Sequence, residues 1–143
     1  MIITMASFKG GVGKSTSAVH LAAHLAQSAK TLLVDGDPNR SVTRWASEGK
    51  LPFTVVSEAQ AAMHARHYEH IVIDTKARPD PEDLREIATG CHLLVLPCTP
   101  DPLSVDALLA TVKPGITRVV DGSADCGTQA PSVPLLSQTE AAT

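Results

Sequence analysis

Lys9-Gly10-Gly11-Val12-Gly13-Lys14-Ser15-Thr16 decides how this chain reads. The octet directly follows an apolar run, Ile2-Ile3-Thr4-Met5-Ala6, and opens a helical pattern. A strand, a glycine-rich turn and a helix N-terminus together form the plan of a phosphate site. Glycines let successive backbone N–H groups turn inward on an anion with no Cβ in the way. The helix starting near Lys14 adds its unsatisfied N–H groups and the positive end of its dipole. Residues Gly10, Gly11, Val12, Gly13, Lys14, Ser15 and Thr16 are therefore the expected cradle. Lys14 is expected on the β- and γ-phosphates, and the Ser15 hydroxyl on Mg2+. The plain alternative is a glycine-rich turn with two surface lysines. Three glycines within four positions, set between a strand and a helix, argue against it.

The strict P-loop pattern has one more glycine, at a position where this chain has Phe8. A second lysine, Lys9, opens the motif instead. Lys-Gly-Gly-x-Gly-Lys-[Ser/Thr] resembles the deviant Walker A motif of the ParA/MinD family of ATPases. The resemblance implies that Lys9 reaches the nucleotide of a partner subunit in a homodimer with ATP sandwiched between the copies.

Working outward, the first helix is expected from Lys14 to about Ser28, with Ala18, Leu21, Ala22 and Leu25 as its inward stripe. His20 and His24 share a face, but no glutamate of a zinc-protease pattern lies between them, and they read as solvated. Thr31-Leu32-Leu33-Val34-Asp35 is a continuous apolar run ending in an acid, which suits a parallel strand covered on both faces. Gly36-Asp37-Pro38-Asn39 turns the chain, and Ser41 is expected to cap a short helix carrying Val42, Trp45 and Ala46. An Asp-Gly turn alone is common. After this strand, Asp35-Gly36-Asp37-Pro38 resembles the family's second motif. That resemblance implies that Asp37 orients the attacking water and that Asp35 supports the metal from behind its ligands.

Phe53-Thr54-Val55-Val56 reads as a short strand, and Ser57-Glu58-Ala59-Gln60 as a capping box opening a helix to about Arg66. His64, His67 and His70 recur every three residues, but the segment leaves its helix before the last, so a metal site is not expected there. His70-Ile71-Val72-Ile73-Asp74-Thr75 is another apolar strand ending in an acid. It has the form of a Walker B strand, with Asp74 holding a water on Mg2+. The family usually continues with prolines, and here the chain reads Lys76-Ala77-Arg78-Pro79. Asp80-Pro81-Glu82-Asp83 starts a helix with Leu84, Ile87 and Ala88 inward and Gly90 at its end. Residues 91–97 read as a fifth strand. Asp101-Pro102 starts a further helix with Val105, Leu108, Leu109 and Val112 at helical spacing. Ile116 to Val120 reads as one more short strand, and 121–143, without sustained period, as a disordered tail.

The 143 residues suffice for one domain with a substantial core. A net charge of −3 gives no overall basic bias towards nucleic acid. Three cysteines, Cys91, Cys98 and Cys126, form no CxxC pair and read as reduced thiols of a cytoplasmic protein. The first strand begins at Met1, which leaves no room for a leader, and no apolar run is long enough to cross a bilayer.

Alternating strands and helices imply an α/β fold, a mostly parallel sheet with helices on both faces. The resemblance refines this to a shortened P-loop NTPase of the SIMIBI type, with residues 1–120 as a ParA-like nucleotide-binding domain lacking its C-terminal part. It also implies slow Mg-dependent ATP hydrolysis, exchange of ATP for ADP, and an ATP-controlled homodimer. Such a dimer positions plasmid, chromosome or organelle cargo with a ParB-like or cargo-adaptor partner. Non-specific DNA binding belongs to the family. Here only Arg118 follows Lys113, against Asp121, Asp125 and Glu140, so weak DNA retention is expected. Two alternatives stand beside this: a truncated, non-catalytic nucleotide-binding or dimerisation module, and a metabolic ligase-type relative with the same phosphate loop.

Overall fold

The apolar runs form strands, and the 3.6-period segments between them form helices, in strict alternation. The computed structural model describes residues 1–112 of the chain. In order these are β1 (Ile2–Ser7), α1 (Lys14–Leu25), β2 (Thr31–Asp35), α2 (Ser41–Glu48), β3 (Thr54–Ser57) and α3 (Glu58–His64). A 3-10 turn at Ala65–His67 leads to β4 (His70–Ala77), α4 (Pro81–Gly90), β5 (Leu93–Val95) and α5 (Pro102–Val112). The strand expected at Ile116–Val120 and the tail expected at 121–143 lie outside the described residues.

All five strands are parallel, in the order β3-β2-β4-β1-β5. Successive side chains of a strand point to opposite faces, and both faces of this sheet are covered. Met5, Leu33 and Val72 join Ala18 and Ala22 of α1, Val42 of α2 and Phe53 in one core. Leu32, Val34 and Val56 turn the other way, with Ile71, Ile73 and Ala61 of α3 packed against them. Burial on both faces explains why β2 reads as an uninterrupted apolar run rather than an alternation.

The connection from β1 leads towards β2, whereas that from β4 leads away to β5 on the other side. The crevice between the C-terminal ends of β1 and β4 is therefore a topological switch point, where open α/β sheets bind ligands. In register, Asp74 of β4 sits between Met5 of β1 and Asp35 of β2.

Local chemistry agrees with most element starts. The Asp80 carboxylate accepts from the amides of Glu82 at 3.0 Å and Asp83 at 2.8 Å, capping α4 ahead of Pro81. The Gln60 side chain accepts from the Ser57 amide at 3.3 Å at the start of α3. Ser41 is a correction: it is the first residue of α2, and the cap position is held by Arg40 in a left-handed conformation at φ 49°. The fifth strand is also shorter than the sequence implies. On α5, Val105 is 37% and Leu109 46% exposed, and Leu93 at the β5 edge is 50% exposed, so these apolar positions are not covered by the described residues.

Candidate nucleotide-binding site

The loop after β1 turns through two left-handed glycines, Gly11 at φ 77° and Gly13 at φ 85°. A Cβ there would be strained by the backbone itself. Gly13 occupies the N-cap position of α1, so the free amides of the first turn open onto the loop. A Cβ added at Gly10, Gly11 or Gly13 would meet no atom within 4 Å, so the loop faces open space. Ser15 is half-buried at the mouth of α1 and Thr16 is exposed beside it.

Lys14, the first residue of α1, turns back under the loop. Its side chain is 6% exposed, and its Nζ meets Asp74 Oδ1 at 2.5 Å and also donates to the Thr75 carbonyl. Asp74 is fully buried, and its Oδ2 has no hydrogen-bond partner among the described residues. A buried, unpaired carboxylate oxygen is costly to leave unmatched. Beside a glycine cradle and the Ser15 hydroxyl, it fits a hydrated divalent cation held through Ser15 and a water on Asp74.

Asp35 also lies buried at the crevice, but its oxygens are engaged by protein. Oδ2 accepts from the Thr43 amide at 2.8 Å and the Thr43 hydroxyl at 2.6 Å, and Oδ1 from the Asp37 amide at 3.3 Å. Thr43 is the third residue of α2, so Asp35 serves as that helix's cap from eight positions upstream. No sequence signal gave this role, because the capping rule looks only at adjacent positions. Gly36 follows, donating its N–H to the Asp74 carbonyl at 2.8 Å. A Cβ on Gly36 would sit 3.0 Å from that same carbonyl oxygen, so glycine is what lets β2 end so close to β4. Asp37 is half-buried in the turn that follows, and its Oδ1 accepts from the Asn39 amide at 2.9 Å.

Lys9 stands apart from this group. It is 56% exposed, and its Nζ lies 3.5 Å from Asp101 Oδ2 and 3.4 Å from the Ser104 hydroxyl, at the start of α5. The fold thus gathers Lys14, Asp35 and Gly36 around Asp74, by ion pair, strand register and backbone bond respectively, and sets Asp37 in the turn after β2. The histidines singled out by spacing form no cluster: among the described residues no group of three or more His, Cys, Asp or Glu side chains is placed for a metal. Of the thiols, Cys98 is exposed and Cys91 half-buried; burial pushes the Cys91 thiol up from its ordinary value. No helix of the described residues is long and apolar enough to cross a membrane.

Known proteins resemble this chain in sequence and fold. Maintenance of carboxysome distribution protein A from Gloeobacter kilaueensis is 36% identical over 118 residues, covering 78% of this chain and 55% of that protein. Protein ParA of Rhizobium radiobacter is 44% identical over 57 residues, 39% of this chain and 26% of that one. A crystal structure of a plasmid partition protein from Borrelia burgdorferi bound to AMPPNP superposes with a TM-score of 0.59 at 25% identity, covering 78% of this chain and 68% of that one. The chain spans little more than half the length of the carboxysome-distribution relative, 55%. A sequence model of the CobQ/CobB/MinD/ParA nucleotide binding domain matches residues 3–133, past the last described residue. With the glycine cradle, the buried Lys14–Asp74 pair and this match along most of its length, the chain belongs to the CobQ/CobB/MinD/ParA nucleotide-binding domain family.

Proposed function

We propose that this protein is a ParA-like ATPase that binds Mg-ATP in the Gly10–Thr16 loop, hydrolyses it slowly and uses the bound state to control a homodimer. One observation carries the reading. An open glycine cradle adjoins a buried lysine whose acceptors among the described residues are Asp74 and the Thr75 carbonyl. An arriving phosphate gives Lys14 a second anionic partner and draws it towards the loop. The loop amides and the N-terminus of α1 then hold charge on the transferring phosphoryl group. Asp37, at the end of β2, orients the attacking water. Lys9 reaches the nucleotide of the partner subunit. Mg2+, held through Ser15 and a water on Asp74 with Asp35 supporting the loop behind it, supplies charge neutralisation on the phosphates.

The names of the relatives, which speak of carboxysome distribution and plasmid partition, support a use in positioning cargo. The reading extends this to plasmid, chromosome or organelle cargo in the cytoplasm, with a ParB-like or cargo-adaptor partner. A formal net charge of −3 gives no overall basic bias and supports weak retention on DNA. A second reading rests on the cradle and the buried pair alone: a nucleotide-binding or dimerisation module without turnover, which needs Lys14 and Asp74 but no water-orienting acid. Two measurements separate them: Mg-ATP titration by calorimetry, and phosphate release by the purified chain with and without DNA. Binding with turnover supports the ATPase. Binding without turnover leaves the module, and absence of binding overturns both.

A further inference from the structure

Lys9 is the residue that the proposed function sends across a dimer interface, yet in this single chain it already has a partner. Its ammonium lies 3.5 Å from Asp101 Oδ2 and 3.4 Å from the Ser104 hydroxyl. The carboxylate it meets is held in place by its own loop. Asp101 Oδ1 accepts from the Ser104 amide at 3.0 Å, and Oδ2 accepts from the Ser104 hydroxyl at 2.6 Å and from the Thr99 hydroxyl. The Thr99 and Ser104 hydroxyl oxygens lie 2.9 Å apart on this carboxylate, and Ser104 is buried. These bonds make a preset acceptor at the N-terminus of α5. They also hold the Asp101 carboxyl well below the usual carboxylate range, with the Ser104 bond the largest cause. The bonds thereby favour the negative charge opposite Lys9.

To reach a phosphate of another chain, the Lys9 ammonium has to weaken or give up its contact with Asp101 of its own. We propose that Asp101 is a positioning residue that holds Lys9 within its own subunit when no nucleotide is bound, so that assembly of the ATP dimer breaks one Lys9–Asp101 pair in each copy. The inference rests on the reading of Lys9 as the trans-acting lysine. Its effect is a threshold: the dimer forms only when nucleotide offers Lys9 more than Asp101 does. The pair is half-exposed, with side chains 56% and 38% accessible, so the threshold is low. Exposed pairs of this kind shift an equilibrium by about two- to fivefold. Two pairs broken per dimer give about four- to twenty-five-fold in the dimer dissociation constant.

Asp101→Asn is the informative variant, because asparagine caps a helix as well as aspartate does and keeps the bond to the Ser104 amide while removing the charge. Sedimentation of the full chain with Mg-AMPPNP should show Asp101→Asn dimerising at about four- to twenty-five-fold lower concentration than wild type. Asp101→Glu should return towards wild type. The gap should close near 1 M salt, where the screening length is about 3 Å. A structural effect of the substitution would persist in salt and would not depend on nucleotide. Dimerisation equal to or weaker than wild type, in a variant that melts like wild type, overturns the proposal. A second measurement needs no dimer: acetylation of Lys9 in nucleotide-free protein, mapped by mass spectrometry. Losing the pair frees the amine, so the rate should rise about two- to fivefold in Asp101→Asn. Equal rates overturn the hold. A raised rate with no nucleotide-dependent dimer in any variant upholds the hold and overturns the trans role of Lys9.

Discussion

The Lys14 ammonium and the Asp74 carboxylate meet at 2.5 Å with side chains 6% and 0% exposed, so each is the condition for burying the other. Charges taken out of water cost several kcal/mol each unless paired. Removing one partner of such a pair therefore costs about 3–5 kcal/mol, because the other is left buried and uncompensated. Lys14→Ala should lose nucleotide binding and also lose stability of that size, seen as a shift of the denaturant midpoint. Adding Asp74→Asn should return part of the stability and none of the binding. ATP affinity unchanged in Lys14→Ala would refute the phosphate site.

Chemistry and binding separate at Asp37. Its Oδ1 holds the Asn39 amide at 2.9 Å, a turn that asparagine can also make. Asp37→Asn therefore keeps the loop while removing the negative charge proposed to orient water. Mg-ATP affinity should stay at the wild-type value while single-turnover hydrolysis falls about 10²-fold or more, the range for a positioned acid–base group. Equal turnover in the two proteins would remove Asp37 from the mechanism.

Gly36 is a test of the crevice rather than of any charge. A methyl group there would stand 3.0 Å from the Asp74 carbonyl oxygen, which is backbone and cannot swing aside. Forcing extra volume into a packed site typically costs about 1–3 kcal/mol. Gly36→Ala should lower thermal stability by that order. It should also weaken ATP binding, because the strand that moves carries Asp74. A melt and an affinity both at wild-type values would mean that the ends of β2 and β4 are looser than their contact suggests.

The cradle and the acids at the strand ends were legible because each is a local pattern: a run, a turn, a residue at a fixed offset. The parallel sheet followed from alternation, and the double burial of β2 from its unbroken apolar run. What escaped were contacts made by folding. Asp35 read as a group behind the metal, and the sequence did not show that its oxygens also engage backbone and hydroxyl groups at the start of α2 and in the turn before it. Asp101 read only as the start of a helix, and nothing in its neighbourhood pointed to Lys9, far away in sequence. On α5 the spacing of Val105 and Leu109 marked an apolar side without saying what covers it. Periodicity identifies a face, and only packing identifies its partner.

The groove beside Lys9 offers a chemical probe of the dimer. Cys98 is exposed there, in a cleft shared with Phe8, Lys9, Pro97, Leu103 and Leu108. Cys91 is half-buried, and desolvation raises its thiol above the ordinary value, so less of it is thiolate at neutral pH. In nucleotide-free protein iodoacetamide should therefore label Cys98 well before Cys91, as peptide mapping would show. If Lys9 crosses to a partner nucleotide, the partner must pass over this groove. Mg-AMPPNP should then slow labelling at Cys98 and leave Cys91 unchanged. In Lys9→Ala, which should not dimerise, nucleotide should have no effect at Cys98. Protection that survives in Lys9→Ala would mean that nucleotide closes the groove within one subunit, and the dimer seam would have to lie elsewhere.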